Sequence, residues 1–460
     1  MSYQSINPFN GELVKSFDEH TDQQLETAIA TAATCFDTWR QLFYAERAVI
    51  VAKAAAIMRE RAEEFARPVT LEMGKLFAES VGEVMLSADI LDYYAAHAER
   101  FLAPERLKPE SGEAVVESSP LGVLFGVQPW NFPYYQLARF AGPNLMAGNV
   151  VMVKHSGTVP QCAMAFEQLW REAGASEGAY TNLLISHDQV LAVIDDPRIR
   201  GVALTGGVAA AKGVAERAGK NVKKSTMELG GSDAFIVMED ADLDKTLTWA
   251  MWAKMNNMGQ CCIAAKRFIV VESLADLFLA KFTAAMEALQ AGDPMDQTTT
   301  LGPLSTEAAL VQLVKQVDEA IAHGATLVLG GKRLDRPGSF MQPTILTDIT
   351  PDNPAWREEF FGPVALFFRV EDEDAAIALA NDSDYGLGGS VFTRDIDRGK
   401  RVASRIETGM VFVNHPTWTA ADLPFGGIKN SGYGRELASH GIHEFVNKKL
   451  VRVTAIDAPA

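Results

Sequence analysis

Cysteine is scarce: a chain of 460 residues carries four, Cys35, Cys162, Cys261 and Cys262. So few thiols exclude a disulfide framework and suit a reducing compartment, so a cytoplasmic location is expected. A basic surplus is absent too. The formal charge of -17 removes the cationic footprint that supplies most nucleic-acid affinity. No apolar run is long enough to span a bilayer. Met1 to Phe17 is polar and mixed, with no basic segment ahead of an apolar one, so no secretory leader is expected. The eight histidines form no His-Glu-x-x-His or Cys/His spacing, so no metal site is expected.

What is present is ordinary globular composition, 48% hydrophobic and 22% charged. The length implies two or three domains. Thr21 to Trp39 reads as a helix with Thr21 as its N-cap and Leu25, Ile29, Ala32 and Phe36 on one face. Ala45 to Glu63, Phe65 to Gly74 and Phe77 to Arg100 continue helically. Leu102 to Pro120 is polar and broken by Pro104, Pro109 and Gly112. It reads as a protruding hairpin whose exposed edge wants a partner strand. Lys449 to Thr454 is a candidate for that partner.

Gly122 to Gln128, Asn149 to Lys154, Ala179 to Ile185 and Gly201 to Thr205 are apolar strands separated by helical runs. That alternation predicts a buried parallel sheet, with loops at the strand ends facing one crevice. Lys224 to Leu229 adds a strand. A second α/β series follows, through Ala234 to Val237, Arg267 to Val271, Phe360 to Phe368, Ser390 to Thr393 and Gly409 to Asn414.

Four stretches carry chemistry. Asn256 to Ile263 sets Cys261 and Cys262 in a polar loop between a helix and a strand, where a nucleophile or a buried core thiol would each fit. Pro129-Trp130-Asn131-Phe132-Pro133 holds Asn131 at a strand end. It is an ordinary turn residue, or a positioned amide donor to a developing oxyanion. Glu228-Leu229-Gly230-Gly231 places a carboxylate before a glycine pair, where a ligand can approach backbone and the carboxylate can activate water. Pro424 to Glu436 is glycine-rich but lacks phosphate-loop spacing.

Together with Lys154 to Pro160, Thr205 to Gly207 and Glu359 to Pro363, these stretches resemble the aldehyde dehydrogenase superfamily, in order and over essentially the whole chain. The resemblance implies an α/β fold of three parts. A Rossmann-type cofactor domain would take residues 1–101 and 121–228, and a catalytic domain 229–435. A β oligomerisation element, at 102–120 and 436–460, would make a homodimer or homotetramer. The Gly-Gln-x-Cys pattern puts the nucleophile at Cys262, with Cys261 at a variable position. Asn131 and the Cys262 N–H would hold the oxyanion, and Glu228 would activate water. CoA-using relatives typically lack that glutamate. A non-catalytic protein on this scaffold is expected to have lost Cys262, Glu228 or Asn131, and all are present.

Cofactor contacts implied by the resemblance are Trp130, Lys154, Ser156, Gly157, Gly206, Gly207, Leu229, Glu359 and Phe361. NAD-preferring relatives often carry a glutamate two residues after the lysine. Lys154-His155-Ser156 has none, which removes repulsion against a 2′-phosphate, so NADP is expected, with NAD as the alternative. Arg139, with Tyr135 and the Thr417-Trp418-Thr419 loop, is a candidate clamp for a substrate carboxylate. The segments Val153 to Ser156 and Gln260 to Phe268 resemble the succinate-semialdehyde branch of the family. Succinate semialdehyde is therefore the expected substrate, with glutarate semialdehyde or broader aliphatic and aromatic aldehydes as alternatives.

Overall fold

Strands that are apolar on both faces must be covered on both faces. In the computed structural model, which describes residues 3–457, they are. A six-stranded sheet runs in the order Gly432–Tyr433, Lys224–Glu228, Ile199–Thr205, Val123–Gln128, Val150–His155, Tyr180–Asn182. All pairings are parallel except that of Gly432–Tyr433, which lies antiparallel to Met227 and Glu228. The strand expected over 179–185 is shorter, because Leu183 leaves the ladder after its N–H bonds the Val153 carbonyl.

In this order the first strand of the series, Val123–Gln128, sits between the second and fourth. Its connections therefore leave in opposite directions, and a crevice opens at its C-terminal end. Pro129 follows this strand and Gly206 follows Ile199–Thr205. Helix Pro133–Ala147, which springs from that crevice, is buried at every residue. It packs between the sheet and the long N-terminal helices Tyr44–Glu60 and Phe77–Phe101.

The helix expected over 45–63 breaks at Arg61, whose ψ of 31° interrupts the turn before Ala62–Met73 begins. The expected cap at Thr21 is present: its hydroxyl accepts from the Gln24 N–H (3.2 Å), and the Gln24 side chain accepts from the Thr21 N–H (2.8 Å).

The chain leaves the first sheet at Glu228 and enters a second at Asp233–Val237. That sheet has the order Thr326–Leu329, Thr344–Thr347, Val364–Val370, Ala265–Val271, Asp233–Val237, Gly389–Phe392, Phe412–Val413, parallel except at Thr326–Leu329. Each sheet has its own apolar core. Cys262 and Ile263, although carried on the approach to the second sheet, pack against the first core.

Glu113–Pro120 pairs with Val446–Val453 on one side and Glu105–Leu107 on the other, all antiparallel. The pairing expected from the sequence thus forms within one chain, with Lys449 opposite Glu117. Leu450, Val451 and Val453 remain exposed on it. Among the described residues no helix is long and apolar enough to cross a membrane.

Asn149 locks this ribbon to the first sheet. Its buried amide oxygen accepts from the Leu121 and Gly122 N–H groups (2.7 and 3.0 Å), and its NH2 donates to the Phe445 carbonyl (2.9 Å). Asn149→Ala would strand buried backbone groups at both ends. A loss of about 3 kcal/mol is expected, from about 1–3 kcal/mol per orphaned group. A urea midpoint unchanged from wild type would refute this account of the junction.

Candidate active site

The loop holding the two thiols is over-determined. Asn257 and Met258 adopt left-handed φ of 51° and 56°, and Gly259 follows at 74°. A Cβ at Gly259 would lie 2.2 Å from the Gly362 carbonyl oxygen, so only glycine fits. Non-glycine residues in this region persist only where their surroundings hold them. Here the Asn257 N–H donates to Glu79 (3.1 Å), and its side chain donates to the Asn131 and Gln260 carbonyls (2.9 and 3.1 Å). The Gln260 amide oxygen accepts from the Ser305 N–H (2.9 Å).

Asn131 is fixed in turn. Its NH2 donates to the Gln260 carbonyl (3.1 Å), and the Gln136 amide lies 2.7 Å from its other end. One amide N–H is left over for the cavity. The two prolines of the stretch begin the buried helix and end the strand, so the backbone at Asn131 has little freedom.

Two cavities meet at the thiol. One, of about 230 Å³, is lined by Trp130, Asn131, Gly206, Gly207, Glu228, Leu229, Cys262, Glu359 and Phe361, with Gly230 and Thr205. The other, of about 300 Å³, is lined by Asn131, Tyr135, Arg139, Thr419, Cys261 and Cys262, with the aromatic wall Phe132, Trp252, Trp418 and Phe425. Asn131, Gln136 and Cys262 belong to both. Lys154, Ser156 and Gly157 line neither. They follow along the next strand, whose register sets Lys154 beside Val127. Lys154 lies 5.6 Å from the Tyr3 ring, and burial draws its ammonium below the usual lysine range. The Ser156 hydroxyl bonds that of Thr158 (2.7 Å). His155, neutral because burial pushes it down to about 4, braces the turn by bonding the Pro133 carbonyl (3.1 Å).

The first cavity suits the nicotinamide and pyrophosphate end of a dinucleotide. Gly207 is the N-cap of helix Val208–Lys220 and supplies no side-chain cap, so the first N–H groups of a 13-residue helix face the crevice. No atom lies within 4 Å of a Cβ built at Gly207, which leaves room beside the backbone. Glu359 accepts from the Gly231 N–H (3.0 Å), and a Cβ at Gly230 would collide with its carboxylate. Trp130 and Phe361 meet edge to face at 5.8 Å across the mouth.

Two expectations are corrected. Arg139 is not a free carboxylate clamp. Its side chain is buried and ion-paired with Glu436, and it donates to the Tyr135 hydroxyl (3.2 Å) and the Thr205 hydroxyl (3.1 Å). A guanidinium already neutralised in a dry setting has little charge left for a ligand. Thr417 packs against Gly388 and Asp233 instead of lining the second cavity. Thr419 does line it, with its hydroxyl 2.7 Å from that of Tyr135.

Glu436 is the residue that sequence reasoning passed over. It ends the glycine-rich stretch, and the pairing of Gly432 with Glu228 folds that stretch back over Glu228. Both oxygens of the buried Glu228 carboxyl lack hydrogen-bond partners among the described residues. Burial, and then Glu436, push this carboxyl well above the ordinary glutamate range, against Arg139 and Arg435. The charged carboxylate is thereby disfavoured relative to that of an ordinary glutamate.

The model of the aldehyde dehydrogenase family matches residues 1–451. The chain belongs to that family. It is 51% identical to a succinate-semialdehyde dehydrogenase (NADP(+)) of Deinococcus radiodurans, over 98% of this chain and 94% of that one. To succinate-semialdehyde dehydrogenase (NADP(+)) 1 of Mycobacterium tuberculosis it is 45% identical, over 98% and 99%. Its fold matches the crystal structure of succinic semialdehyde dehydrogenase from Streptococcus pyogenes in complex with NADP+, with a TM-score of 0.97, 45% identity and coverage of 98% and 100%.

The hydrogen bond with the Cys261 thiol and burial together hold the Cys262 thiol well above the usual range, while Arg139 and Lys266 pull it down. A raised thiol is neutral at neutral pH, and its thiolate appears only as pH rises. Cys261→Ala removes the first of these causes. The pH midpoint for alkylation of Cys262 by iodoacetamide should therefore move down, with faster labelling at neutral pH. A midpoint that stays put or rises would show that Cys261 does not set it.

Proposed function

We propose that the protein oxidises succinate semialdehyde to succinate with NADP as the acceptor, through a thioester on Cys262. The observation that carries this reading is the convergence of Cys262 and Asn131 where the two cavities meet, with Glu228 on the wall of the first. The Cys262 thiolate adds to the aldehyde carbonyl entering from the aromatic side. The Asn131 amide and the Cys262 N–H stabilise the oxyanion that forms. Trp130, Gly206, Gly207, Leu229, Glu359 and Phe361 hold the nicotinamide and pyrophosphate end of the cofactor, with Lys154, Ser156 and Gly157 at the adenosine end. Bound there, the cofactor would supply the hydride acceptor that lets the adduct become a thioester. Glu228 then removes a proton from water, which attacks the thioester and frees the acid.

NADP is favoured by the absence of a carboxylate at Ser156 and by the cofactor in the names of the relatives. With Arg139 paired to Glu436, the substrate carboxylate is left to neutral donors on the cavity wall, the Tyr135 and Thr419 hydroxyls and the Asn256 amide. The same wall of Leu86, Phe132, Trp252, Ile263, Trp418 and Phe425 supports a second reading, in which neutral aliphatic and aromatic aldehydes also turn over. The exposed apolar ribbon at Val446–Val453 supports assembly with further copies of the chain, as a homodimer or homotetramer. The working place is the cytoplasm.

Glu228→Gln should keep the first burst of NADPH and lose steady turnover, by about a hundredfold or more from the usual worth of a general base. Loss of burst and turnover together would place Glu228 in the first half-reaction instead. Steady-state kinetics with succinate semialdehyde should favour NADP over NAD by about tenfold in kcat/KM, roughly the worth of one charge-assisted contact. Equal values, or higher kcat/KM for hexanal and benzaldehyde than for succinate semialdehyde, would overturn the cofactor and substrate readings respectively.

A further inference from the structure

The strand Ala265–Val271 is buried throughout, yet it carries two adjacent cations. Arg267 is spent on the scaffold: it donates to the carbonyls of Ser232 (2.8 Å), Leu379 (2.8 Å) and Ala380 (2.9 Å). Lys266 is spent on the reacting loop. Its fully buried Nζ lies 2.6 Å from the Cys261 carbonyl oxygen, 2.7 Å from that of Cys262 and 3.2 Å from Glu359 Oε1. An ammonium has three N–H donors, and here it faces three acceptors.

The Cys261 carbonyl and the Cys262 N–H are two ends of one peptide unit. A cation bonded to the carbonyl oxygen draws charge along the unit and makes its N–H a stronger donor, because hydrogen bonds in series polarise one another. In a site shielded from water that polarisation is not screened.

We propose that Lys266 is a positioning residue of the reaction, which strengthens the oxyanion-binding N–H of Cys262 by charging the carbonyl side of the same peptide. Its second bond, to the Cys262 carbonyl, fixes the turn that presents the thiol. Glu359 supplies the counter-charge from the wall of the cofactor cavity, and Asp233 is a further carboxylate within its field. Lys254 stands nearby without a hydrogen-bond partner among the described residues. Burial first, and then Lys266, draw it well below the lysine range, which disfavours a second positive charge there.

This inference rests on Cys262 being the nucleophile, and the test separates the two ideas. Two cofactor-free reactions of the thiol are compared at the alkaline plateau of each pH profile. Acylation by p-nitrophenyl acetate passes through an oxyanion: the sulfur–carbonyl bond forms and p-nitrophenolate leaves. Alkylation by iodoacetamide displaces iodide and forms no oxyanion.

Lys266→Met, checked for folding by circular dichroism, should slow acylation about tenfold, a fraction of the about 10²–10³-fold worth of a direct oxyanion donor. Alkylation should stay within about threefold, since displaced geometry alone would slow both. Acylation unchanged from wild type, or both reactions falling by one factor, overturns the proposal. If Lys266→Met does not fold, Lys266→Gln, which keeps a neutral donor, is read by the same two criteria. Cys262→Ala abolishes acylation if the nucleophile is correctly assigned, and its retention would remove the assignment and the inference together.

Discussion

The return of the chain to the first sheet is the constraint on which the site depends. Gly432–Tyr433 pairs with the strand that ends in Glu228. A Cβ at Gly432 would lie 1.9 Å from the Met227 carbonyl oxygen, so the approach is closer than any side chain allows. That pairing delivers Glu436 to Arg139, and both to the neighbourhood of Glu228. It also closes the link between two sheets that otherwise keep separate cores.

Charge is handled differently on the two sides of the thiol. Arg139 meets Glu436, Lys75 meets Glu83 and Lys266 meets Glu359, each pair with its cation buried. A buried ion is tolerable only with such an answer. Among the described residues Glu228 has no ion-pair partner and no hydrogen bond, and burial lifts its carboxyl above the ordinary glutamate range. The site thus contains strong charges that cancel and one acid without a partner, and the second is the group proposed to move a proton.

Much of this was legible in the sequence. The continuous apolar runs announced a parallel sheet because only two covered faces permit them. Trp130, Asn131, Glu228, Glu359 and Phe361 lay in stretches with unusual local composition, and the structure gathers them around one cavity with Cys262. The residues that escaped were those whose meaning lies in a distant partner. Arg139 reads as a free cation until Glu436, at the far end of the chain, is seen beside it. Thr417 looked equivalent to Thr419, and a difference of two residues in an irregular loop decided which faces the cavity. Lys266 did leave a signal: a lysine inside a strand that is otherwise buried and apolar needs an anion or several carbonyls, and the nearest are those of the preceding loop.

Cys262 forms part of the wall of both cavities. A partition with a reactive atom set into it has a consequence for traffic. With aldehyde and dinucleotide seated as proposed, neither would stand in the path of the other, and the acid could depart by the entrance its aldehyde used while the dinucleotide kept its seat. Access, as much as reactivity, is apportioned by where one sulfur was put.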